Sequence, residues 1–272
     1  MITVDARHPT RTYLRDIWHY RDLFYILSWR DVKVRYKQTL IGGAWAVLRP
    51  LLTMLIFTFV FGRVAGLAEG EALPYGLLVL AGVLAWQLLS SGISEGASSL
   101  IGNERLITKV YFPRLILPLS TLATCLLDFL IALLLLVGLL VYYRTMPSLY
   151  ALLLPLWALL ALGLALGASL WLAAFNVRYR DFRYALPFVL QVGLFLSPVG
   201  FSASRVPAGW QWLYQLNPAV GLLESFRWCL FGDAYTAFEP QSVLITLLWS
   251  ILLLFTGFRY FRHTERSFAD HI

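Results

Sequence analysis

Residues 115–143 read LILPLSTLATCLLDFLIALLLLVGLLVYY, and one charge, Asp128, interrupts them. At about 1.5 Å per residue, a helix of that length exceeds the roughly 30 Å hydrocarbon core of a bilayer. Barrel strands are excluded by pattern, since they alternate in segments of about ten residues. Working outward, stretches 44–62, 73–93, 149–175, 184–200 and 242–261 have the same character, with 184–200 the shortest. A spanning backbone must satisfy its own hydrogen bonds. The expectation is therefore an all-α integral membrane protein with six transmembrane helices.

Composition agrees. Of 272 residues, 59% are hydrophobic and 14% charged, and the mean hydropathy is +0.70. Soluble domains carry roughly 25% charged residues, so an ordinary globular enzyme is excluded. So is a disordered chain, which needs low hydrophobicity and high net charge. The first twenty residues are charged throughout and lack the apolar core of a cleavable signal peptide.

With both termini placed in the cytoplasm, all but four of the 22 Lys and Arg residues fall on the inner side; the exceptions are Arg63, Arg144, Arg205 and Arg227. That asymmetry sets the expected orientation. It also accounts for the net charge of +7 through anionic inner-leaflet lipid, with no nucleic acid needed. The expected organisation is a cytoplasmic segment over 1–43, a six-span domain over 44–262 and a cytoplasmic tail over 263–272.

Two segments are neither spans nor simple loops. Over 17–37, Ile17, Tyr20, Leu23, Phe24, Leu27 and Val34 fall within an arc of about 120°, and Arg30, Lys33 and Lys37 share a neighbouring arc of about 60°. This pattern predicts an amphipathic helix, either in the inner headgroup layer or packed on the protein's own cytoplasmic face. Gly42 and Gly43 would turn the chain into the first span. The stretch between spans five and six is too apolar for a solvated loop and too rich in Pro and Gly for one span. Pro218, capped by Asn217, opens a short helix that Gly232 stops, which predicts a re-entrant or interfacial helical pair at the outer face.

Few residues suggest chemistry. The sequence holds no GxxxxGK[ST] loop, no paired histidines at ligand spacing and no GxSxG elbow. His8, His19, His263 and His271 sit in the terminal segments, and Cys125 and Cys229 match no metal or redox spacing. No metal site, catalytic residue or cofactor is expected on this chain. Asp128 faces the bundle interior as an intramembrane acid, in a proton-coupled role or as a structural group bonded to Thr124. Arg49, before Pro50, either snorkels to headgroup phosphates or meets an anionic substrate at a pore entrance. Most of the 10 Trp, 14 Tyr and 18 Phe residues are expected in interfacial belts or facing lipid, with some stacking on sugar rings inside a pore. Residues 95–114, broken at Gly102-Asn103 and stopped by Pro113, form an exposed amphipathic element suited to a soluble partner, or an interfacial loop.

Four blocks carry a resemblance: WRDVKVRYKQTLIGGAWAVLRPLLTMLIFTFVFG, NERLITKVYFPRLILPL, NVRYRDFRYALPFVLQVGLFLSPVGF and LNPAVGLLESFRWCLFG. Together they resemble the membrane subunits of ABC-2-type transporters, nearest to the exporters of O-antigen, capsule or teichoic acid. The resemblance runs from about residue 22 to 262. It implies a homodimeric permease in the bacterial cytoplasmic membrane, two copies of a separate ABC ATPase that carries the ATP and Mg, and a lipid-linked glycan substrate. It implies ATPase coupling through Leu100, Asn103, Glu104, Arg105, Leu106 and Lys109, and an interfacial helix bearing Arg30, Lys33 and Lys37. Trp45 and Arg49 would mark the pore entrance, and Asn217, Pro218, Glu224 and Arg227 an outer gate. The alternatives are an exporter of small lipophilic drugs or lipids, an ATPase-independent secondary transporter or channel, and a transferase acting on lipid-linked sugars.

Overall fold

A computed structural model describes residues 10–37, 42–69, 73–179, 181–235, 238–265 and 268. Much of the expected tail over 263–272, with Arg266, lies outside these residues, as do Arg7 and Arg180. Among the described residues every regular element is helical. In chain order they are α1 (Thr10–His19), α2 (Arg21–Lys37), α3 (Trp45–Phe57), α4 (Tyr75–Ser98), α5 (Glu104–Lys109), α6 (Ile116–Tyr142), α7 (Leu154–Arg178), α8 (Phe182–Leu196), α9 (Ala208–Gln215), α10 (Pro218–Phe231) and α11 (Pro240–Thr264). A π-helical stretch, Thr58–Val64, prolongs α3, and a 3-10 turn, Leu149–Leu153, leads into α7.

Five of these units are long and apolar enough to cross a bilayer: Trp45–Val64, Tyr75–Ser98, Ile116–Tyr142, Leu149–Arg178 and Pro240–Thr264. They follow the expected boundaries closely. The expected span over 184–200 is different. Its helix, α8, has only 15 residues, about 22 Å at the standard rise. The backbone leaves the helix at Ser197, whose conformation is extended, one residue before Pro198. A residue that precedes proline is pushed out of the helical region.

The core is built around α4. Of its apolar window 72% is buried, against 22% for α3 with its extension and 22% for α11. Helices α6 and α7 pack on α4, and α11 packs on α7. The α7–α11 crossing is close because Gly167 and Gly257 face each other: a Cβ on Gly257 would meet the Gly167 carbonyl oxygen at 2.5 Å. Small residues at such crossings let backbones approach where van der Waals packing holds helices together.

A second core lies at the end of the bundle where the basic residues collect. Tyr13, Leu27, Leu100, Ile107, Phe112, Leu115, Phe261 and Phe268 are buried there, with Ile17, Tyr20, Leu23 and Phe24 packed around them. The stripe expected over 17–37 thus covers the protein's own basic end. Val34 is the exception, at 67% exposed, and the helix is interrupted at Tyr20. Beyond the stripe, Trp18, Tyr25, Ile26 and Trp29 are exposed. The Arg21 guanidinium lies over the Trp18 ring and the Lys33 ammonium over Trp29, at 5.9 and 5.5 Å. An apolar face interleaved with cations is of the kind that suits a headgroup layer.

Candidate functional site

The segment after α4 is the first place where elements converge. Asn103 ends a 3-10 turn over Ile101–Asn103, and α5 follows at once. The Asn103 side chain fixes the break: its Nδ2 donates to the Ser99 carbonyl at 2.9 Å, and its Oδ1 accepts from Arg30 Nη2 at 2.8 Å. Glu104, Arg105 and Lys109 are exposed, and Leu106 is half-buried on the second core. Leu100 is fully buried in that core. It therefore anchors the segment and presents nothing to a partner, a correction to its assignment as a coupling contact. Val110 and Tyr111, exposed at 51% and 64%, extend the apolar surface instead.

The interfacial cations Arg30, Lys33 and Lys37 are all exposed, and Arg30 in addition pairs with Asp31 at 2.7 Å and donates to Asn103 at 2.8 Å. One turn and a half further on, Arg35 donates to the carboxylates of both Glu95 on α4 and Asp128 on α6, and the Tyr36 hydroxyl donates to Asp128. Asp128 is thus held by two side chains of α2. The expected bond from Thr124 is absent because Thr124 Oγ1 donates to the Ser120 carbonyl at 3.2 Å, within its own helix. Arg35 and Glu95 were missed as site residues. A carboxylate within a span demands a cation, but many cations crowd this end, and a spacing of 93 residues carries no local signal for which one is used.

Trp45 and Arg49 lie exposed near the start of α3, close to this end of the bundle. Pro50 sits inside the helix and is buried.

At the far end a buried polar hub organises the chain between α8 and α11. Asn217 caps α10, its Oδ1 accepting from Ala219 N at 3.0 Å, with Pro218 in the first turn. Gly232 ends the helix at φ +61°, a conformation natural to glycine. Arg227, only 1% exposed, donates from Nε to the Leu78 carbonyl at 2.9 Å. Its Nη2 donates to Val199 at 2.6 Å and its Nη1 to Phe201 at 3.0 Å. Glu224 lies 3.4 Å from Nη1 and accepts from Ala203 N and Tyr235 Oη, each at 3.0 Å. Gly82 makes room for the guanidinium, since a Cβ there would lie 2.4 Å from Nη2. The planar fork thus ties α4, the turn after α8 and α10 together, a use of five fixed donors that only arginine offers. Glu224 and Arg227, both assigned to the outer gate from the sequence, form one ion-paired unit.

Among the described residues no group of His, Cys, Asp and Glu is placed to hold a metal ion. The arrangement has two interlocked ends and a buried central helix.

Comparison with known proteins bears on both ends at once. The chain is 29% identical, over 95% of its own length and 98% of the relative's, to the O-antigen export system permease protein RfbA of Myxococcus xanthus. A Klebsiella pneumoniae protein of the same name is 28% identical over 92% of this chain and 94% of its own. The polysialic acid transport protein KpsM of Escherichia coli is 25% identical over 88% and 92%. The family model for the ABC-2 type transporter matches residues 22–231, from α2 through the end of α10. The chain, a multi-pass membrane protein, belongs to the ABC-2 type transporter family.

Proposed function

We propose that the chain is the membrane-spanning permease subunit of an exporter that moves lipid-linked polysaccharide, of the O-antigen, capsule or teichoic-acid type, out across the cytoplasmic membrane. The observation that carries this reading is the near end-to-end likeness to O-antigen export permeases, over 95% of this chain and 98% of the relative. Power comes from ATP hydrolysed, with Mg, on two copies of a separate ABC ATPase, because this sequence has no phosphate-binding loop. Six crossings with both termini inside follow from the charge asymmetry, with α8 and the turn after it making the fifth. Two copies make the transporter. The exposed apolar faces of α3 (Leu52, Leu55, Ile56) and α8 (Phe188, Val189, Val192) support that pairing, since faces of this kind mark contact with lipid or another helix. The basic end then docks the ATPase through Asn103, Glu104, Arg105, Leu106 and Lys109.

The test is reconstitution into vesicles. The pure permease should show no ATPase activity, and the permease with its ATPase should translocate lipid-linked glycan only when ATP is present. Hydrolysis by the pure chain, or ATP-independent glycan movement, would overturn the reading.

A further inference from the structure

Both ends of α4 are gripped by side chains that reach its main-chain carbonyls. Carbonyls at a helix C-terminus lack partners within the helix. At the basic end of α4 two amides supply them. Asn103 Nδ2, on the segment that follows, donates to the Ser99 carbonyl at 2.9 Å. Asn176 Nδ2, in the last turn of α7, donates to the Ala97 carbonyl at 2.9 Å from 79 residues away. A cap that only finished the helix would need nothing from α7. Asn176 is 2% exposed, and among the described residues no donor reaches its Oδ1. A buried acceptor left short lowers stability, so its presence calls for a reason other than stability.

Between its ends α4 is an unbroken α-helix of 24 residues with no proline after Pro74, about 36 Å long at the standard rise. Its lower half is packed without slack. A Cβ on Gly92 would lie 2.9 Å from the Ala165 Cβ, and one on Gly96 would lie 2.7 Å from Ser169 Oγ. At the outer end the turn after α8 rests on α4 directly. Tyr75 Oη donates to the Gly200 carbonyl, Arg227 Nε holds the Leu78 carbonyl, and a Cβ on Gly82 would lie 2.8 Å from the Val199 carbonyl oxygen.

We infer that Asn103 and Asn176 are positioning residues for ATP-driven export. They grip the last carbonyls of α4, so that the docking segment and α4 move as one lever whose far end carries the outer turn through Tyr75 and Arg227. The inference rests on the export reading and on docking of the ATPase at this segment. Coupling between distant sites travels through rigid elements and the bonds that join them. Here a single helix runs the whole distance, and a displacement of the docking segment reaches Val199 and Gly200 with one rigid body between.

The test uses the permease assembled with its ATPase in vesicles. Asn176→Leu removes the grip of α7. Asn103→Asp removes the donor to Ser99 while keeping an acceptor for Arg30. Each variant should bind the ATPase as the wild type does and unfold near the wild-type temperature. Each should nevertheless export about tenfold less glycan per ATP hydrolysed, the size of a typical coupling between sites. A bimane label on Ser204→Cys follows the outer turn, since Ser204 is exposed while Cys125 and Cys229 are buried. Its emission should change when a non-hydrolysable ATP analogue is added, and either asparagine variant should abolish that change. No nucleotide-dependent change in the otherwise wild-type complex, or wild-type coupling in both variants, would overturn the inference. So would loss of ATPase binding in both, the mark of a purely structural role. If Asn176→Leu does not fold, Asn103→Asp decides alone. Failure of the export reading has a separate signature: the wild-type complex moves no glycan with ATP, while the bimane signal still reports whether nucleotide reaches the outer turn.

Discussion

At the residue scale, Arg35 decides whether two carboxylates can exist where they do. Glu95 and Asp128 each retain about a third of their side-chain exposure and share one guanidinium. Asp128→Asn keeps an acceptor for Tyr36 and leaves Arg35 paired to Glu95. It should fold normally and export within about twofold of wild type. Arg35→Leu instead leaves two acids unpartnered, at a cost of roughly 2 kcal/mol, visible as a lowered unfolding temperature in detergent. Loss of export in Asp128→Asn at normal expression and normal stability would return Asp128 to a proton-coupled role. Glu265 makes a different point. Its carboxylate accepts from Arg114 N at 3.0 Å and Tyr13 Oη at 3.1 Å. Burial nevertheless outweighs these donors and raises its pKa above the usual carboxylate value. The folded protein thus holds this proton more tightly than the unfolded chain does. The contribution to stability is complete below the ordinary carboxylate pKa and is lost as pH rises through the raised value. Unfolding temperature measured against pH should fall less steeply over that window in Glu265→Gln.

At the scale of elements, the segment after α4 and the helix α10 each do one job. Arg105 is exposed at the tip of the first, whereas Leu106 also packs on the second core. Arg105→Glu is therefore the cleaner probe of docking. It should reduce co-purification of the ATPase and lower export while leaving the permease's unfolding temperature unchanged. Leu106→Asp should do the same and also destabilise the segment, by several kcal/mol where the contact is desolvated. Intact assembly and wild-type export in both variants would remove this segment as the docking surface. In α10, Arg227→Met strands the Glu224 carboxylate and three carbonyls in a dry interior, at a cost of about 3–5 kcal/mol. Thermal unfolding should report it, and Arg227→Lys should recover little, since one ammonium cannot reach three diverging carbonyls.

Local signals made these elements legible. Asn217, Pro218 and Gly232 marked the ends of α10, and Gly102-Asn103 marked the break before α5, because caps and breaks depend on neighbours in the chain. What stayed hidden was long-range: Arg30 with Asn103, Arg35 with Glu95 and Asp128, and Arg227 with the carbonyls of Leu78 and Val199. Leu100 misled for a related reason. A leucine in an amphipathic segment can serve its own core or a partner, and only the packing of Leu27, Ile107 and Phe112 around it decides.

At the scale of the whole molecule, α8 stands apart from its neighbours. Five units cross a bilayer comfortably by length, and beside them stands a helix of 15 residues with a largely exposed apolar face. Its shortfall against the hydrocarbon thickness is about 8 Å. Lipids meet such a mismatch by shortening: acyl chains tilt and the leaflets draw together around the short element. A fifth crossing made by α8 would therefore put a dent in the membrane along that helix. A polar headgroup passing from one leaflet to the other would cross the least oil there, and a shortfall in length would become a low pass through the bilayer.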